Sequence, residues 1–176
     1  MAEIRTARLL LRPARVADLA RIHAIMSDPR AMRYWSTPRH ATLEESRDWL
    51  RSMIDAPPGQ GADFIVEHDG VVIGKAGGYR LPEIGFILDP AAWGRGFARE
   101  AVEAVIGFIW DNHPLPALRA DVDPRNQASL GLLKRLGFRE TGRASATWTI
   151  GGEVCDSVYL AFGPSGRGLD LGAPKQ

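Results

Sequence analysis

The residues that most plainly bear chemistry lie in one stretch, Glu83-Ile84-Gly85-Phe86-Ile87-Leu88-Asp89-Pro90-Ala91-Ala92-Trp93-Gly94-Arg95-Gly96-Phe97-Ala98-Arg99-Glu100. An apolar run from Ile84 to Leu88 leads through a glycine-containing loop into Ala98, Ala101, Val102, Val105, Phe108 and Ile109, which repeat at helical spacing. A helix start presents unpaired backbone N–H groups and the positive end of the helix dipole, a setting for phosphate or diphosphate. Gly94 and Gly96 let the backbone approach such an anion, and Arg95 and Arg99 supply guanidinium groups that form paired hydrogen bonds to phosphate oxygens. The bland alternative is a helix start flanked by two solvated arginines. Two nucleotide motifs do not fit. Arg99 stands where a dinucleotide fingerprint has its third glycine, and Gly74-Lys75 is followed by alanine where a Walker loop has Ser or Thr.

The elements that must position this stretch follow from periodicity. Leu9-Leu10-Leu11, ended by Pro13, reads as a first strand. Asp18 opens a helix through Leu19, Ile22, Ile25 and Met26, and Thr42 with Glu45 forms a capping box for a second helix reaching Ile54. Phe64-Ile65-Val66 and Val71-Val72-Ile73 flank Asp69-Gly70, the signature of a hairpin. Ile84 to Leu88 is a further strand, Gly96 to about Asn112 the strongest helix, Leu118 to Val122 a strand and Gln127 to Leu136 a helix stopped by Gly137. Two last strands turn at Gly151-Gly152. The fold class is therefore α+β, or mixed α/β, with a largely antiparallel sheet.

Bulk composition narrows the function classes. A chain of 176 residues, 45% hydrophobic and 24% charged, suits one domain, placed at 1–163, and the Gly- and Pro-rich tail 164–176 has the composition of a disordered segment. Twenty-two basic against 21 acidic side chains leave +1, no field for gripping nucleic acid or an anionic membrane. Cys155 has no second cysteine to pair with, no apolar run approaches the roughly 18 residues of a membrane span, and the N-terminus lacks a signal-like stretch, so the expectation is a cytoplasmic protein. His23, His40, His68 and His113 have no metal-ligand spacing, so no metal is expected.

The stretch from Trp93 to Ala98 resembles the coenzyme motif of the GNAT acyltransferase superfamily, Gln/Arg-x-x-Gly-x-Gly/Ala, with Gly96 and Ala98 at its last two fixed positions and Trp93 departing from the first. Its Trp-Gly-x-Gly-Phe-Ala form is similar to the branch that acetylates ribosomal-protein N-termini. Thr6-Ala7-Arg8-Leu9-Leu10-Leu11-Arg12, Glu83-Ile84-Gly85-Phe86, and Asn126-Gln127-Ala128-Ser129 followed by Leu136-Gly137-Phe138 resemble that branch too, in the right order. The resemblance implies a mostly antiparallel sheet of six to seven strands, splayed at the coenzyme site and flanked by about four helices.

It further implies acetyl-coenzyme A as co-substrate, a primary amine as acceptor, and a homodimer. The coenzyme's pantetheine arm would pair with the backbone of Phe86, Ile87 and Leu88, while Arg95, Gly96, Phe97, Ala98 and Arg99 hold the diphosphate and Asn126 contacts the arm or thioester. Glu83 is the candidate base and Ser129 the candidate group assisting the departing thiolate. Each has a structural alternative: Glu83 as an exposed strand-end carboxylate, Ser129 and Asn126 as satisfiers of a helix start. Tyr34 and Trp35 are candidate walls of the acceptor site. A protein N-terminal α-amino group is the leading acceptor and a small amine the alternative. A non-catalytic acetyl-coenzyme A sensor and a transferase for a larger acyl group such as succinyl are the rival functions.

Overall fold

The computed structural model describes residues 3–57 and 61–163, so the expectation for the tail 164–176 falls outside the described residues. Five antiparallel strands, β1 (Ile4–Arg5), β2 (Leu10–Arg12), β3 (Ala62–His68), β4 (Val71–Gly78) and β5 (Gly85–Leu88), lie side by side in sequence order. A second sheet holds β6 (Leu118–Val122), β7 (Arg139–Ile150) and β8 (Glu153–Phe162) in the order β6-β8-β7. Four helices accompany them: α1 (Leu19–Met26), α2 (Leu43–Ile54), α3 (Phe97–Asn112) and α4 (Gln127–Arg135). Among the described residues the strands number eight, split five and three, where one splayed sheet of six to seven was expected. Strand β1 is two residues long, too short to leave a period in the sequence, and the split follows from the parting of β5 and β6 described below.

Local chemistry explains these elements. Thr42 accepts from the Glu45 amide while the Glu45 side chain reaches back to the Thr42 amide, which satisfies both donors at the start of α2. Asp69 (φ 49°) and Gly70 (φ 76°) take the positive angles of a tight turn between β3 and β4. The five-stranded sheet is buried on both faces. Phe64, Val66 and Leu88 pack under α3 through Phe97, Ala101, Val105 and Ile109, whereas Ile65, Val72 and Ile87 face Ile22, Ile25 and Met26 of α1 and Leu50 and Met53 of α2. Covering both faces makes β3 and β4 read as nearly continuous apolar runs.

The connection between α1 and α2 bears on the site, because it carries Tyr34 and Trp35. Its two ends are clamped by Ser46, which is 0 % exposed and whose hydroxyl lies 2.8 Å from Nδ1 of His23 and 2.9 Å from Nδ1 of His40. The His40 amide also donates to the Met26 carbonyl at 2.9 Å. Burial holds the His40 pKa below its ordinary value, against the nearby carboxylate of Glu45. Ser46→Ala therefore leaves two imidazole nitrogens unpartnered and is expected to lower the unfolding free energy by about 1–3 kcal/mol. Urea denaturation measures this.

Candidate active site

The site begins where two strands part. The Ile84 amide donates to the Arg119 carbonyl and the Arg119 amide to the Pro82 carbonyl, each at 2.9 Å, which joins Glu83 and Arg119 in a single parallel bridge. Beyond it no described strand lies along the edge of β5 that faces away from β4, and β6 gives all five of its residues to β8. Backbone groups alternate along a strand. The Asp89 amide donates to the Ile73 carbonyl of β4, and a Cβ on Gly74 would meet the Ile87 carbonyl at 2.1 Å, so residues 85, 87 and 89 turn their backbone groups toward β4. Phe86 and Leu88 turn theirs the other way, into the gap. The expected backbone contact of three consecutive residues narrows to these two, because the amide of Ile87 belongs to the ladder with β4.

At the far end of β5 the chain turns toward α3. Asp89 accepts from the Ala91 amide at 2.8 Å and from Arg21 Nη2 at 2.7 Å, and Trp93, the departure from the motif, donates its indole N–H to the Leu88 carbonyl at 3.0 Å. The loop is thereby tied to the strand it leaves. Gly94 (φ 72°) and Gly96 (φ 80°) take left-handed angles, and Gly96 caps α3 with no side chain to accept from its amides. The first turn of the helix thus keeps its N–H groups available.

Around this turn the structure assembles more charge than the motif showed. Arg8 donates to the Arg95 carbonyl at 2.9 Å and to Glu100 Oε2 at 2.7 Å, and Thr6 donates to Glu100 Oε1 at 2.6 Å. The guanidinium groups of Arg8 and Arg95 each lie 4.6 Å from the ring centre of Phe97, and His68 packs on the same ring at 4.5 Å. The Phe97 side chain is itself core, 1 % exposed, so only its backbone is free for an anion. Ala98 is half-buried, and Arg99 is exposed and 3.9 Å from Glu103. Arg8 escaped sequence reasoning as a site residue, because its partners are about ninety positions away and leave no local period.

The near end of β5 opens into a cavity of about 730 Å³ that brings together Glu83, Phe86, Asn126, Ser129, Tyr34 and Trp35. Arg95 to Arg99 lie outside it, past the other end of the strand. Glu83 is exposed, and its carboxylate makes no hydrogen bond among the described residues. Asn126 performs the capping, accepting from the Ser129 amide at 3.1 Å, which leaves the Ser129 hydroxyl free of that duty. On the cavity floor Lys75 is 5 % exposed. It donates to Asp63 Oδ2 at 2.9 Å and sits 2.7 Å from Oδ1 at an angle too poor for a hydrogen bond. Its ammonium is 5.5 Å from the ring centre of Trp35, which also covers Gly85. Among the described residues no cluster of His, Cys, Asp and Glu suits a metal ion, and no helix is long and apolar enough to cross a membrane.

The fold and this site define an acyltransferase, and comparison with known proteins agrees. The acetyltransferase (GNAT) domain model matches residues 8–139, so the chain belongs to the GNAT acetyltransferase family. An uncharacterised N-acetyltransferase, p20 of Bacillus licheniformis, is 31% identical over 91% of this chain and 94% of its own. The spermidine N(1)-acetyltransferase of Escherichia coli is 27% identical over 86% and 84%. The structure of RimL, the ribosomal L7/L12 alpha-N-protein acetyltransferase, in complex with coenzyme A superposes with a TM-score of 0.83 at 18% identity, over 92% and 98% of the two chains. The chain is an N-acetyltransferase of the GNAT type.

Two expectations follow from the turn. Gly96→Ala puts a side chain at φ 80° and 3.4 Å from Arg8 Nη2. At a left-handed cost of about 1–2 kcal/mol, it is expected to weaken acetyl-coenzyme A binding at least tenfold by isothermal titration. Burial raises the Glu100 pKa, but hydrogen bonds from Thr6 and Arg8 outweigh it and hold the carboxyl below its ordinary value. Its stabilising contribution is therefore complete above the unfolded-state pKa and lost as pH falls through the folded one. Glu100→Gln is expected to flatten the fall of unfolding free energy between about pH 5 and 3, checked by urea denaturation across that range.

Proposed function

We propose that acetyl-coenzyme A lies along β5, its diphosphate on the amides after Gly96 with Arg95 and Arg99, its pantetheine arm against the backbone of Phe86 and Leu88. The observation that carries this reading is the unpaired edge of β5, which runs from the open helix start at one end to the cavity with Glu83 and Ser129 at the other. An arm rich in amide groups replaces the missing sister strand, and Asn126, whose Nδ2 is not used in capping, faces the same space. The coenzyme complex of RimL supports the choice of carrier.

The acceptor is a primary amine entering through the cavity. It attacks the thioester carbonyl as the free base, a C–N bond forms, and a gap-facing N–H of β5 stabilises the oxyanion. Glu83 takes the proton from the ammonium of the tetrahedral intermediate, directly or through water. The C–S bond then breaks, with the Ser129 hydroxyl donating to the departing thiolate. No covalent enzyme intermediate is needed. RimL by its name acylates a protein α-amino group and the Escherichia coli relative spermidine; the likeness to RimL supports an α-amino group here, in a peptide or a small molecule.

Thiol release with a panel of amines and peptides tests the reaction. Glu83→Gln is expected to lower kcat at least tenfold, about 1.4 kcal/mol of barrier, with acetyl-coenzyme A affinity changed less than twofold. Unaltered kcat across pH 6 to 9 would remove Glu83 from the proton transfer.

A further inference from the structure

The cavity is lined by charged side chains of both signs. Ten of the eighteen arginines among the described residues hold an ion pair, among them Arg8 with Glu100, Arg12 with Asp18 and Glu67, Arg21 with Asp89, Arg30 with Asp28 and Arg125 with Asp123 and Glu153. Arg33, Arg39 and Arg80, all exposed, line the cavity, and their side chains make no ion pair or hydrogen bond among the described residues. The first two come from the connection between α1 and α2, the third from the turn between β4 and β5. Arg33 lies over Tyr34 at 5.2 Å and Arg80 over Tyr79 at 5.8 Å, on tyrosines that line the same cavity. A guanidinium held near a ring by cation–π attraction keeps N–H groups for a planar or tetrahedral oxyanion.

The carboxylates have another origin. Asp123 and Glu153 are neutralised by Arg125, which holds the Asp123 carboxyl below the usual range through its hydrogen bonds. Glu83 before β5, Asp121 on β6 and Asp156 on β8 carry no ion pair among the described residues. Asp121 accepts only from the Trp148 indole N–H at 2.9 Å and Asp156 from the Ala146 amide at 2.9 Å. Lys75, the remaining cation of the wall, is spent on Asp63.

We infer that the acceptor carries an anionic group, carboxylate or phosphate, besides its amine: the amine rests among Glu83, Asp121 and Asp156, and the anion is gripped by Arg33, Arg39 and Arg80. The inference rests on the reading of this cavity as the acceptor site. A polycation would set one of its charges against the unmatched arginines, whereas a zwitterion satisfies both signs of charge. The three arginines thus set acceptor specificity and leave the proton transfer to Glu83.

The test compares kcat/KM, expressed per free-base amine, across three arms with the same acetyl-coenzyme A. Alanine and alanyl-alanine supply a carboxylate, O-phosphoethanolamine a phosphate; alaninamide and ethanolamine are their neutral counterparts, and spermidine is the polycation. At least one anionic amine is expected to exceed its neutral counterpart tenfold, and whichever arm leads tells carboxylate from phosphate. Arg33→Ala/Arg39→Ala and Arg80→Ala are each expected to raise KM for that amine at least tenfold and to change the neutral amine less than twofold. Preference for neutral amines or spermidine, or a preference that survives both variants, overturns the inference. If no amine releases thiol, the transferase reading of the cavity fails separately. Calorimetric titration of the same anionic amines into the coenzyme A-loaded protein then decides: binding weakened tenfold by the arginine variants upholds the anion site, and no binding or unaffected binding refutes it.

Discussion

Everything about this site depends on β5 losing its neighbour after one bridge. Among the described residues Glu83 and Arg119 make the one backbone bridge between the two sheets, after which β6 is committed to β8 and β5 keeps only β4. A backbone N–H or carbonyl that is neither paired nor hydrated is costly inside a protein, of the order of 1–3 kcal/mol each. The open edge therefore selects for an occupant with alternating donors and acceptors. In the proposed reading that selection rests on the peptide groups of Phe86 and the N–H of Leu88, because the Leu88 carbonyl already accepts from the Trp93 indole.

The same edge joins two different environments over four residues of strand. At its C-terminal end the chain must reverse into α3 without covering the helix amides, and glycine in the left-handed region at 96 does so without a capping side chain. The extra positive charge gathered there is kept in place by Glu100, which takes hydrogen bonds from both Thr6 and Arg8 and so pins the start of the chain to the first turn of α3. At its N-terminal end the walls come from four separate parts of the chain, and Ser46 fixes one of them by joining two histidines. The glycine turn is built from local sequence, with Thr6, Arg8 and His68 added from far along the chain, whereas the cavity walls are all distant pieces.

That division also decides what the sequence could tell. The helices, the hairpin at Asp69-Gly70 and the glycine turn are consequences of neighbours within a few residues, and periodicity or turn chemistry exposed them. Glu83, Asn126 and Ser129 were visible as candidates, yet only the structure brings them to one cavity and assigns the helix-capping duty to Asn126. The alternation that keeps Phe86 and Leu88 open and turns Ile87 inward depends on which side β4 lies. No residue type records that. Arg8 with Glu100, Ser46 with two histidines, and the gathering of Arg80 and Asp156 around one cavity are long-range meetings, and a linear pattern carries no trace of them. Trp93 is instructive: as a motif position it was a departure, while in the structure its indole N–H binds the last carbonyl of β5.

Amide hydrogen exchange at Phe86, Ile87 and Leu88, followed by NMR with and without acetyl-coenzyme A, addresses the open edge directly. Exchange at Ile87 is expected to be slow in both states and, on adding the coenzyme, exchange at Phe86 and Leu88 alone is expected to slow strongly. Slow exchange at all three residues before the coenzyme is added, or unchanged exchange at Phe86 and Leu88 after saturation, would contradict the open edge.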